Sequence, residues 1–392
     1  MTGEADPPEG LVPGGARLRA EEFPDASDGI YLNAASFGLL PARTRAVIDR
    51  WSHDRASGVG VDPERFDQAL TRARAAAGQL IGEPVEAIAL APNTSYGVNL
   101  AAEIVGAGAP GRILLSDGEF PANVLPWKRL SERGFEVEVV PADSQGLPRF
   151  GAMEERLAAD PSVRAVAISM VQFGTGVLAD LEAWGAKCRE REVFLAVDAI
   201  QGLGVSPLDG PGALGVDLLT SGAQKWLLSP WGTGFVYLHP RHLERIHPPF
   251  VSWFGFESAL DFEKLLDYES PLLPDARRFE PATLPVHDLE AMAASIELLL
   301  EVGVDRIRGH VHALHDRVLE WAVDRPGVEV VTPRDAARRA GILSLAFDEI
   351  GEPAAALERA GIAAAVRGGR LRLAPHLYNT ADEIDALLAV VG

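Results

Sequence analysis

From Tyr31 to about Pro240, short apolar runs alternate with segments of helical spacing. Ala87–Leu90, Arg112–Ser116, Val137–Val140, Ala165–Met170, Val193–Val197, Leu218–Thr220 and Gly234–Leu238 read as strands. Each is brief, apolar and bounded by residues that favour turns. Leu125–Arg133 and Leu181–Arg191 between them have the three-to-four spacing of half-buried helices. Strands alternating with helices predict an α/β fold with a mostly parallel sheet. Ligands in such sheets gather beyond the carboxyl ends of the strands. After Pro240 the pattern changes. A long apolar helix is expected over Asp288–Val302, strands near Leu343–Phe347 and Arg370–Ala374, and a closing helix near Ala381–Val391. The expected division is an arm over 1–30, a large domain over 31–250 and a smaller α/β domain over 251–392.

Composition narrows the picture. The 392 residues are 47% hydrophobic, enough for a large core. A formal charge of −20 repels phosphate backbones and anionic lipid, so nucleic acid and membrane are not expected partners. The single cysteine, Cys188, excludes an internal disulfide, and together with a start that does not read as a signal peptide it predicts a cytoplasmic protein. Only four of the 36 basic residues are lysines, which draws attention to any lysine in apolar company.

Lys225 is such a residue. In Thr220-Ser-Gly-Ala-Gln-Lys225-Trp-Leu-Leu it follows the end of an expected strand. Partial desolvation there lowers an amine's pKa and makes it nucleophilic, although a lone lysine is more often a snorkelling surface residue. A second cluster is Val197-Asp198-Ala-Ile-Gln201, a carboxylate at the end of a buried strand. It needs a cation, which the protonated nitrogen of a pyridine ring would supply; otherwise it is a helix N-cap. In the third, Asn93-Thr94-Ser95 opens a helix after a strand. Amides and hydroxyls there suit a phosphate, and equally suit an ordinary cap.

In this order the clusters resemble the aminotransferase class V family of pyridoxal 5'-phosphate (PLP) enzymes, which includes cysteine desulfurases and isopenicillin N epimerase-like proteins. Tyr31-Leu-Asn-Ala-Ala, Ala122-Asn-Val-Leu-Pro-Trp and Arg372-Leu-Ala-Pro-His-Leu-Tyr-Asn-Thr strengthen the likeness. The resemblance implies the fold type I of PLP-dependent transferases. It implies Lys225 as Schiff-base lysine and proton shuttle, Asp198 on the pyridine nitrogen and Gln201 on the ring oxygen. Thr94, Ser95, Ser221 and Gln224 fall at phosphate-binding positions, and Phe120 at the position that stacks on the ring. Arg372 matches the clamp for the substrate carboxylate. Thr283, in Arg278-Phe-Glu-Pro-Ala-Thr283, matches a residue reaching the phosphate of a second subunit, which implies a homodimer with shared sites.

One departure carries weight. Where desulfurases of the family hold a reactive cysteine, this chain reads Ala364-Ala-Val-Arg-Gly-Gly-Arg-Leu-Arg372. Cys188 falls in an expected helix and reads as a bystander. The leading expectation is an aminotransferase-like enzyme acting on an amino acid through a Schiff base with the cofactor. The alternatives are a cysteine-independent carbon–heteroatom lyase or an epimerase, and, outside enzymology, a PLP-binding regulatory module. No metal site is expected.

Overall fold

The computed structural model describes residues 15–243 and 246–392. Thirteen strands occur in chain order. The first seven after the amino-terminal pair member β1 (Ile30–Tyr31) are β2 (Ile88–Leu90), β3 (Arg112–Ser116), β4 (Glu136–Val140), β5 (Val163–Ser169), β6 (Phe194–Asp198), β7 (Leu218–Gly222) and β8 (Gly234–Leu238). These seven form one sheet in the order β2-β8-β7-β6-β5-β3-β4, with β8 alone reversed. Every strand expected in this half of the chain is present, with ends shifted by at most two residues. The strands are short and almost wholly buried because helices cover both faces.

The helices are α1 (Gly15–Glu22), α2 (Ala42–Ser57), α3 (Pro63–Ile81), α4 (Thr94–Gly106), α5 (Leu125–Arg129), α6 (Phe150–Ala159), α7 (Leu181–Glu190), α8 (Pro211–Leu214), α9 (Val286–Val302), α10 (Val304–Trp321), α11 (Gly351–Arg359) and α12 (Ala381–Val391). The apolar helix α9 packs against α2 and α3, and its one polar stripe, Glu290, Glu297 and Glu301, pairs with Arg72 of α3 and Arg43 of α2. Cys188 lies on α7, where a helix was expected, and is fully buried.

The remaining strands are β9 (Val328–Val330), β10 (Leu343–Phe347), β11 (Ile362–Ala363), β12 (Ala365–Arg367) and β13 (Arg370–Leu373). An antiparallel sheet runs β12-β13-β10-β9, and β1 pairs with β11. Thus the chain near Tyr31 joins the carboxyl-terminal layer and not the large sheet; Asn33 bridges Ala374 in the same way. Residues 15–28 lie against the body: Phe23 is buried, and Arg19 pairs with Glu383 at 2.6 Å. The first fourteen residues of the expected arm lie outside the described residues. Among the described residues, no helix is long and apolar enough to cross a membrane.

Candidate active site

The parallel strands of the large sheet deliver their carboxyl ends to one edge. There the chain turns from β2 into α4, from β3 to Phe120, from β5 to Phe173, from β6 to Gln201 and from β7 to Lys225. The Asp198 carboxyl is buried, with Oδ1 accepting the Ile200 N–H at 3.0 Å. Its Oδ2 has no hydrogen-bond partner among the described residues. Burial pushes the Asp198 carboxyl up to about 6, although the Ile200 N–H and the charge of Lys225 pull the other way. Lys225 is brought down to about 8, first by burial and then by the cations Arg372 and Arg367; Asp198 opposes this. The two groups feel each other's charge but form no ion pair, which leaves each available to a third partner. Lys225 Nζ stands 5.6 Å from the centre of the Phe120 ring, which meets Phe173 edge-on at 5.3 Å.

The sheet edge also carries features suited to a phosphate. Asn93, not Thr94 or Ser95, caps α4, its side chain accepting the Tyr96 N–H at 2.9 Å. Thr94 Oγ1 accepts the Gly222 N–H at 2.7 Å from within the site, and Ser95 is exposed beside it. Gln224 Oε1 is buried without a partner. At Gly222 a Cβ would lie 2.6 Å from Gln224 Oε1 and 3.3 Å from Thr94 Oγ1, so any side chain there would displace Gln224 from this cradle. Ser221 is buried, and its hydroxyl donates to Gly222 O at 2.9 Å. Gln224 also borders a cavity of about 330 Å³ lined by Phe37, Pro230 and Trp231.

Gln201 has less freedom than its motif suggests. Its oxygen accepts the Trp226 Nε1–H at 2.8 Å and its amide donates to Ala35 O at 3.0 Å, leaving one N–H for a ligand. Arg372, from β13, completes the edge. It is 2% exposed and donates to Phe173 O and Ser36 Oγ, both at 3.0 Å. Its Nε has no partner, and no carboxylate pairs with it among the described residues. Burial and the neighbouring Arg367 bring it down to about 10. A buried cation without a counter-ion is costly, and an incoming anion relieves that cost.

Thr283 stands apart from this cluster. It is exposed and lines another cavity, of about 370 Å³, with Phe66, Arg74 and Glu280. No hydrogen bond joins it to Lys225, Thr94 or Gln224 in the same chain.

Two contributors were not singled out in the sequence, although the second lies within the motif that begins at Arg372. The Glu119 carboxylate accepts Ser169 N–H at 2.9 Å, Asn123 Nδ2–H at 3.1 Å and the Ser169 hydroxyl. Ser169 is the register partner of Asp198, so Glu119 pins the Phe120 loop beside that carboxylate. Burial pushes Glu119 up to about 7 against those hydrogen bonds, and Asp198 adds to the rise. In sequence, Asp117-Gly-Glu-Phe lies between elements and carries no chemical motif. His376 is the second. Its Nδ1 accepts the Leu377 N–H at 2.7 Å and its Nε2–H donates to Trp226 O at 3.0 Å, fixing the backbone next to Lys225.

Comparison with known proteins is consistent across the chain. The family model described as aminotransferase class-V matches residues 42–387. Isopenicillin N epimerase of Streptomyces clavuligerus is 29% identical over 379 residues, covering 91% of this chain and 93% of that protein. The uncharacterized aminotransferase YcbU of Bacillus subtilis is 28% identical over 78% of each chain. A probable cysteine desulfurase of Methanothermobacter thermautotrophicus is 26% identical, covering 93% of this chain and 94% of that protein. Among solved structures, the apo cysteine desulfurase of Thermococcus onnurineus superposes with a TM-score of 0.83 at 22% identity, covering 100% of this chain and 98% of the other. The complex of the cystine C-S lyase C-DES with cysteine persulfide gives 0.84 at 22% identity, over 94% and 99%. These likenesses establish the α/β fold expected from the strand pattern and the fold type I that the resemblance implied.

Proposed function

The chain belongs to the aminotransferase class-V family and is a PLP-dependent enzyme of it; from that premise we propose that it moves the amino group of an amino acid. The observation that carries this reading is Arg372, a buried cation lacking a carboxylate partner and close enough to Lys225 to lower its pKa. A nucleophilic lysine beside an arginine with no carboxylate of its own is the pairing that an α-amino acid requires.

The residues present fit PLP. Thr94, Ser95, Ser221 and Gln224, with the amides at the start of α4, would hold the phosphate; the open cradle at Gly222 and the unpartnered Gln224 Oε1 support this. The unused oxygen of Asp198 would pair with the pyridine nitrogen, and the remaining N–H of Gln201 with the ring oxygen. Phe120 would cover one ring face. When bound, PLP supplies an electron sink for charge left at Cα. Lys225 then takes the Cα proton and returns it, its pKa near working pH letting it act in both directions. Arg372 sets the orientation. Phe120 cannot protonate a leaving group, and the stretch 364–372 has no cysteine to accept sulfur. Both facts favour amino-group transfer over elimination.

We also place the enzyme in the cytoplasm as a homodimer, with Thr283 of a second copy completing each phosphate site. Borohydride reduction of the PLP-loaded protein should fix the cofactor on Lys225, and Lys225→Ala should give no visible band. In a single turnover with amino acid alone, one equivalent of keto acid per site should form as the visible band is lost. Added keto acid should restore it. Sustained release of ammonia with the band intact would establish a lyase instead, and label on another lysine would defeat the whole reading.

A further inference from the structure

Strands β12 and β13 pair antiparallel, with Ala365 opposite Arg372, Val366 opposite Leu371 and Arg367 opposite Arg370. Residues facing one another in such a pair share a face, as do residues two apart along a strand. Arg367, Arg370 and Arg372 therefore stand on one face, the one from which Arg372 reaches Phe173 and Ser36. The turn that joins the strands is Gly368–Gly369, both at positive φ, 56° and 74°. That conformation suits glycine and keeps the hairpin short enough to hold Arg367 over the rim.

Two of these three guanidinium groups are committed. Arg370 donates to Gln145 O at 2.7 Å, and Arg372 to Phe173 O and Ser36 Oγ. Arg367 is not. Among the described residues it forms no ion pair, and its hydrogen bond, at 3.0 Å, goes to the carbonyl of its own neighbour Val366. What singles out Arg367 among the arginines without an ion pair is its place on the same face as Arg372. Its charge is felt inside: it disfavours the protonated forms of both Lys225 and Arg372. Arg367 and Arg372 thus repel one another across a short gap, diagonal neighbours roughly 7–8 Å apart at the backbone. An anion at each would turn this repulsion into attraction.

We propose that Arg367 is a specificity-determining residue that holds a distal anionic group of the substrate, so that the enzyme acts on amino acids with an acidic side chain. The proposal rests on the assignment of Arg372 to the α-carboxylate. A planar fork matches a carboxylate, and the diagonal spacing suits a side chain a few carbons long. Arg367 occupies the stretch in which desulfurase relatives were expected to hold their cysteine. The same hairpin would here recognise charge in place of performing thiol chemistry.

Glutarate and pentanoate test this without any reaction, since they have equal chain length and differ by one carboxylate. Calorimetric titration of the PLP-loaded enzyme should show glutarate binding at least tenfold more tightly, about 1.4 kcal/mol. Arg367→Gln should bring glutarate to within threefold of pentanoate and leave pentanoate unchanged; Arg367→Lys should keep part of the preference. Arg370→Gln, a control on the same face, should keep all of it. Equal binding of the two acids by the native enzyme, or a preference that survives Arg367→Gln, overturns the proposal. Failure of the underlying reading is distinguishable: Arg372→Gln should weaken both acids alike, and unchanged binding of both would reject Arg372 as the clamp.

Discussion

Burial and charge pull against each other at the two titrating residues of the site. Asp198 rises to about 6 and Lys225 falls to about 8, and each would move further without the other. A neutral amine is needed to attack the PLP aldehyde, so the rate of loading should climb with pH and level off above about 8. Removing the Asp198 charge removes the main influence that keeps Lys225 protonated. In Asp198→Asn the midpoint should therefore shift downward by about one unit, followed as growth of the visible band. A midpoint unchanged or higher would contradict this coupling. Cys188 is a contrasting residue. Burial pushes its thiol up to about 12, so it is not a thiolate at neutral pH. Native protein should resist thiol reagents, and Cys188→Ala should bind PLP as before. A hundredfold loss of turnover in that variant, about 2.7 kcal/mol of barrier, would revive thiol chemistry.

At the scale of elements, the layer around β13 is tied to the strand edge by buried polar contacts. Protonating His376 Nδ1 would break its bond from Leu377 N–H, and full burial already brings the imidazole down to about 4. Its folded pKa lies below the unfolded value near 6.5. The stabilisation it provides is thus complete above 6.5 and is lost as pH falls toward 4. At pH 5 the loss amounts to about 2 kcal/mol. His376→Gln keeps a donor and an acceptor but does not titrate, so between pH 7.5 and pH 5 it should lose about that much less stability in urea denaturation. Elsewhere, Arg74 on α3 meets Glu280 through two bonds of 2.7 Å, and Glu280 also accepts the Leu90 N–H at 2.9 Å. Both side chains are buried. Glu280→Gln would strand a buried guanidinium and should destabilise the fold by about 3–5 kcal/mol, measured in the same way. A loss below about 1 kcal/mol would mean that water reaches the pair.

At the scale of the whole molecule, several large apolar side chains lie open to water: among the described residues Val59, Leu125, Trp231, Val251, Leu266 and Tyr268 are each 60% exposed or more. Thr283 lies with Phe66 and Arg74 in a cavity away from Lys225. Both observations agree with a dimer that brings Thr283 to the other copy's phosphate site. Lys225→Ala and Thr283→Ala subunits should each be impaired alone, and their mixture should regain up to one intact site per heterodimer. Sedimentation showing a fully active monomer would reject this arrangement.

Much was legible in the sequence because it is local. A buried parallel strand is a short apolar run and an amphipathic helix a periodic one, so the seven strands of the large sheet and helices such as α7, α9 and α12 follow from pattern alone. Lys225, Asp198 and Thr94 stood out because each places a polar group at or just beyond a strand end, whereas Arg372 came only with the resemblance of its motif. Pairing across distance was not legible. Nothing local says that Tyr31 joins Ala363, that Arg367 shares a face with Arg372, or that Glu119, between elements, is enclosed by Ser169 and Asn123. The physical reason is that a residue's chemistry is local, whereas its burial, its partners and hence its pKa belong to whatever the fold packs against it.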